Sequence, residues 1–154
     1  MIEVWFYHLQ RQRLETVLPD LLQKSLDRGW RAVVQAVSEE RIDALDQWLW
    51  TFSETSFLAH GCARDRDAEL HPIWLSTGIE NPNGAAARFF VEGAEVAGAL
   101  ADRTTTYQRA INLFDGNNED ELARAREQWK VLKGLGYCLT YWQQAETGRW
   151  EKKA

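Results

Sequence analysis

Segments rich in β-branched and aromatic residues alternate along this chain with segments of helical period. That alternation leaves few folds open. Ile2 to Leu9 reads as a strand that is apolar on both sides, as in a sheet covered on both faces. Leu14 to Arg28 has helical period, with Leu14, Val17, Leu18, Leu21, Leu22 and Leu26 on one side; Pro19 opens or kinks that helix and Gly29 stops it. Arg31 to Val37 reads as the second strand. Ser38 then caps a helix that begins Glu39-Glu40 and buries Ile42, Leu45, Leu49 and Phe52. Further strands are expected at Pro72–Ser76, Ala86–Glu92, Tyr107–Phe114 and Tyr137–Trp142, with Val96–Ala101 ambiguous. Phe52 to Leu70 has no period and reads as a long loop, a length that is usually functional or mobile. Strands alternating with helices predict one α/β domain over residues 1–143, with a polar, fraying tail over 144–154. The sheet is expected to be mainly parallel, with right-handed crossovers placing helices on both faces.

A sheet of this kind raises the prospect of nucleotide binding, but the phosphate loop is missing. The first strand runs into Gln10-Arg11-Gln12-Arg13, with no glycine to let a phosphate approach the backbone. The net charge of −5 argues against non-specific nucleic-acid binding as the main activity. Two cysteines, Cys62 and Cys138, allow at most one disulfide, and with no signal-peptide pattern at the N-terminus they suit a reducing cytoplasm; Cys138 reads as a core residue of its strand. No run approaches the ~20 apolar residues of a membrane helix. His60, Cys62 and His71 lack paired metal-ligand spacing, and neither cysteine has an identifiable catalytic partner. No metal, cofactor or catalytic residue is therefore assigned.

Asn118 to Tyr141 reads as a helix followed by a short strand. Glu119, Asp120 and Glu121 open the helix, and Lys130 and Lys133 stand near its end, as the helix dipole favours. Leu122, Ala125, Trp129 and Leu132 share a stripe at 100° per residue, and Arg126, Lys130 and Lys133 run beside it. A large aromatic beside three cations has the makings of a pocket for an acidic peptide with an apolar end. The same face also reads as a core tryptophan with a solvated basic edge. Trp50 falls outside the apolar stripe of its own helix and is expected to meet solvent, a partner or a neighbouring loop.

The run A-R-E-Q-W-K-V-L-K-G-L-G-Y-C-L resembles the C-terminal signature of the chi subunit of bacterial DNA polymerase III. That family carries Ala-Arg-Glu-x-Tyr/Trp-Lys, then a basic residue, then Gly-Phe/Tyr-x-Leu. Phe6-Tyr7, Leu49-Trp50 and Ser56-Phe57-Leu58-Ala59-His60 fit in similar order and spacing, so the likeness covers most of the chain.

The resemblance implies a nucleotide-binding-like fold and a non-catalytic accessory of the replicase clamp loader. Such a protein has no activity of its own, although it belongs to a DNA-directed DNA polymerase complex. It binds the acidic, Phe-ended C-terminal tail of single-stranded-DNA-binding protein, so its link to DNA is indirect, and it binds the psi subunit where psi exists. By similarity, tail binding falls to Arg126, Trp129, Lys130 and Lys133, with Trp50 walling the pocket from a neighbouring helix. Phe57 matches a position that contacts psi in some members. Trp129 stands where Tyr is common, and Lys133 where Arg is often found, which loses a bidentate fork. A nucleotide-binding α/β enzyme and a direct single-strand binder with tryptophan stacking platforms are the other readings of the residues.

Overall fold

The computed structural model describes residues 2–53, 58–101 and 106–154. Its strands are β1 (Glu3–Leu9), β2 (Ala32–Gln35), β3 (Gly61–Cys62), β4 (Ile73–Ser76), β5 (Ala87–Val91), β6 (Arg109–Asp115), β7 (Cys138–Gln144) and β8 (Trp150–Lys152). The helices are α1 (Leu14–Asp27), α2 (Glu39–Thr51), α3 (Val96–Leu100) and α4 (Glu119–Gly134). The strands form one sheet in the order β3-β4-β2-β5-β6-β1-β7-β8. Every pairing is parallel except β7 with β8. The expected α/β sheet, mainly parallel and covered by helices on both faces, is what the chain forms.

Side-chain alternation along the strands sorts the core into two halves. Tyr7 and Leu9 of β1, with Val34, Phe89 and Leu113, pack under α1 and α2 through Leu18, Leu22, Leu45 and Leu49. Val4 and Phe6, with Val33, Phe90 and Phe114, pack on the other face under α3 and α4 through Val96, Leu100, Ala125 and Leu132. The first pair of helices therefore lies on one side of the sheet and the second pair on the other.

Pro19 sits inside α1 and is buried. Lacking an N–H, it leaves the Glu15 carbonyl without its helical donor. The indole Nε1–H of Trp48, on α2, donates to that carbonyl at 2.6 Å. The helix break thus becomes a stitch between α1 and α2. Trp48→Phe should lower stability by about 1–2 kcal/mol in urea unfolding, because it orphans the carbonyl. No change would mean that water already serves it.

Arg88 of β5 is a guanidinium with 0% exposure. It points to the α3–α4 face, as Phe90 does. Its Nε and one terminal nitrogen donate to Gln35 Oε1 at 3.1 and 2.7 Å. The remaining N–H groups go to Gly78 O at 2.6 Å, Glu80 O at 2.7 Å and Tyr107 Oη at 2.9 Å. All five donors of the fork are thus used. This side chain ties the loop after β4 to the sheet, together with Asn83, which donates to Ala32 O of β2 at 3.1 Å.

Three sequence expectations need correction. Residues beyond 143, read as a fraying polar tail, include β8, which pairs Trp150, Glu151 and Lys152 with Gln144, Gln143 and Trp142. Gly148, at φ +85°, allows the reversal, and Trp150 packs edge-on against Tyr7 at 4.8 Å, which anchors the strand. The stretch read as an unbroken loop contains the edge strand β3 and a turn of 3₁₀ helix at Ala68–Leu70. Cys138, read as a core residue, is exposed because it is the first residue of β7. Both cysteines are unpaired.

Candidate functional site

The face formed by α4 and the strands beneath it begins at a fixed helix start. Asn118 caps α4, its side chain accepting from the Glu121 N–H at 3.1 Å. Glu121 in turn accepts from the Asp115 N–H at 3.1 Å, so the end of β6 and the first turn of α4 hold each other. Burial, the largest influence, raises the Glu121 carboxyl above its ordinary value, although the Asp115 N–H opposes the rise.

Downstream, a groove of about 370 Å³ runs between α4 and the strands beneath it. Leu122, Ala125, Arg126, Trp129 and Lys130 form its helix side. Phe114 of β6, Tyr141 of β7 and Ala154 form the opposite side. The aromatic groups are packed rather than loose. Trp129 meets Phe6 edge-on at 5.2 Å and Tyr141 at 5.8 Å, so half of its ring is held while the rest faces the groove. Arg126 and Lys130 are exposed, and neither has an ion pair among the described residues. The arrangement is an apolar slot with cations at its rim. Such a site can take an apolar side chain carried on an anionic backbone end or flanked by carboxylates.

Behind the slot, His8 Nδ1 lies 2.5 Å from Tyr141 Oη. Burial, then the Arg126 charge, pushes the His8 imidazole below its usual value, while Asp115 pulls the other way. Burial raises the Tyr141 hydroxyl, and Arg126 opposes that rise. Arg126 therefore bears on both groups from α4.

The structure brings together Arg126, Trp129 and Lys130. Lys133 lies on α4 and is exposed, but does not line the groove. Trp50 is not part of it. It sits on α2, on the opposite face of the sheet, and α2 contacts β3 and β4 at the far edge from β7. The expectation that Trp50 and Trp129 wall one pocket is therefore wrong. Helical spacing showed that Trp50 leaves its stripe, but it carries no information on which face of the sheet its helix covers. Phe57 lies outside the described residues.

Around Trp50, which is 51% exposed, the indole rests on His60 at 4.8 Å. The His60 ring faces Leu58 O at 2.7 Å and Asp46 Oδ1 at 2.9 Å, and Arg64 bridges Asp43 and Asp46. Cys62 is buried and His71 faces Arg66 O, so these side chains do not converge. Among the described residues no group of three or more His, Cys, Asp or Glu is placed to hold a metal ion, and no helix is long and apolar enough to cross a membrane.

A second crevice, of about 390 Å³, opens at the carboxyl ends of β1 and β6, where open α/β sheets commonly bind ligands. Gln10 to Arg13 line it, and so do Glu92, Asp115 and Glu121. Carboxylates face the arginines there and no glycine opens the first loop, a poor setting for a phosphate.

Tyr141, Phe114 and His8 were not singled out as site residues from the sequence. Alternation in β7 offered a usable signal for Tyr141: Leu139 and Tyr141 share a face with Phe6 and Trp129.

Two comparisons bear on identity. The family model described as "DNA polymerase III chi subunit, HolC" matches residues 1–140. A protein of Rickettsia prowazekii (strain Madrid E), named "Probable DNA polymerase III subunit chi", is 23% identical over 151 residues, which span 96% of this chain and 90% of that protein.

Proposed function

This chain belongs to the DNA polymerase III chi subunit family, a family of accessory subunits of that polymerase, and on that premise we propose that the α4 groove holds the acidic, phenylalanine-ended tail of single-stranded-DNA-binding protein and so links it to the clamp loader. One observation carries this reading: an apolar slot walled by Trp129 is rimmed by Arg126 and Lys130. The slot takes the terminal ring, Arg126 takes the terminal carboxylate, and Lys130 and Lys133 meet the acidic residues before it. Exposed charge pairs contribute only ~0–1 kcal/mol each, so the ring in the slot supplies most of the affinity and the cations supply orientation and on-rate. DNA is reached through the partner, consistent with the net charge of −5. The unpaired cysteines suit action in the cytoplasm.

Trp50 is reassigned. It projects from the opposite face, against His60. That face is the better candidate for a second subunit of the complex, psi where it exists.

Calorimetric titration with an acidic peptide ending in phenylalanine tests the tail reading. Binding should weaken about fivefold with Arg126→Ala and also weaken as salt is raised. Native protein that ignores the peptide, or an Arg126→Ala variant that binds it equally well, would refute the reading.

A further inference from the structure

Tyr141 enters the groove from outside the region that the family model matches, which ends at residue 140. Its backbone is fixed from both directions by the end of the chain. The Tyr141 N–H donates to Ala154 O at 3.2 Å, and the Lys153 N–H donates to Tyr141 O at 2.8 Å. Its ring is clasped between Trp129 at 5.8 Å and Phe114 at 6.1 Å. The hydroxyl therefore has a fixed position beside Arg126.

The hydrogen bond to His8 decides what that hydroxyl can do. His8 Nε2 is buried and meets no hydrogen-bond partner. It lies against Gly116, so close that a Cβ added to that residue would stand 1.8 Å from Nε2. A proton on Nε2 would be a buried donor with no acceptor, whereas a bare Nε2 leaves only an acceptor unused. The tautomer that fits carries its proton on Nδ1, and the low proton affinity of the buried ring beside Arg126 keeps it neutral. Nδ1–H then donates to Tyr141 Oη. A hydroxyl that accepts from His8 keeps its own proton for another acceptor, and the groove lies on its open side.

We infer that Tyr141, oriented by His8, is a second donor beside Arg126 for the terminal carboxylate of the bound peptide. The inference rests on the tail reading above, with Tyr141 as the binding residue and His8 as a positioning residue that never touches the ligand.

Fluorescence anisotropy on the full chain tests it, using labelled acidic peptides that end in phenylalanine with either a free or an amidated C-terminus. Tyr141→Phe should weaken the free-acid peptide about tenfold and leave the amidated one unchanged, because a hydrogen bond to a charged group is lost in one case only. His8→Asn keeps a donor near the place of Nδ1 and should bind like the native chain. His8→Leu should weaken the free acid severalfold, and should add nothing in the Tyr141→Phe background. Circular dichroism shows which variants are folded, and the two His8 variants retain the test if Tyr141→Phe does not fold. If Tyr141→Phe binds the free acid as tightly as native protein while Arg126→Ala does not, the donor role is overturned and the groove stands. Equal losses for both peptides also overturn it. Failure of the native chain to bind either peptide ends the tail reading and this inference together.

Discussion

Arg88→Met should cost the fold about 4 kcal/mol, measured as a shift in the urea midpoint at unchanged slope. The substitution removes a fully buried guanidinium whose five N–H groups are all satisfied. It leaves Gln35 Oε1 and the carbonyls of Gly78 and Glu80 in a site that Met cannot hydrogen-bond. Each buried acceptor so orphaned costs about 1–3 kcal/mol, and relaxation of the loop recovers part of the total. Arg88→Lys should recover less than half of the loss, since an ammonium offers three donors from one point where the site needs a planar fork. A loss below about 1 kcal/mol for Arg88→Met would show that the loop and Gln35 find water at little cost, and the staple would then be unimportant.

Trp129→Ala should weaken the acidic peptide by roughly thirtyfold or more, about 2 kcal/mol, the scale of a central aromatic anchor. The indole is the groove's largest apolar wall, and its packing on Phe6 and Tyr141 means that little ordering entropy remains to be lost on binding. The same substitution also removes those contacts within the fold, so binding must be measured well below the melting temperature of the variant. Trp129→Tyr, which keeps an aromatic wall, should keep most of the affinity. Equal binding by native protein and Trp129→Ala would mean that the slot is not where the ring goes. Trp50→Ala, on the opposite face, should leave peptide affinity unchanged.

The fold was legible because alternation, caps and breakers act locally. Ser38, read as the cap of α2, accepts from the Arg41 N–H as expected. Half the groove was equally legible, since Arg126, Trp129 and Lys130 share one helix and helical spacing alone puts them on one face. What failed was the statement that paired named side chains across two elements. Trp50 was paired with Trp129 across helices, but their relative placement depends on which face each crossover takes. Tyr141 reaches the groove because β7 pairs with β1, and Ala154 because the chain reverses at Gly148 and adds β8 to the sheet edge. The polar composition of the last residues hid that strand, because an edge strand needs only one apolar anchor, here Trp150. Arg88 carried a faint signal: a cation within the otherwise apolar Ala87–Val91. Its four partners are scattered from Gln35 to Tyr107 and could not have been assembled from spacing.

The most direct test of the account follows the nitrogen–proton NMR spectrum of this 17.8 kDa chain as the acidic, phenylalanine-ended peptide is added. The indole signal of Trp129 and the backbone signals around Arg126, Lys130 and Tyr141 should move together, while the Trp50 indole stays in place. Shifts gathered around Trp50, or a spectrum that does not change at saturating peptide, would contradict it.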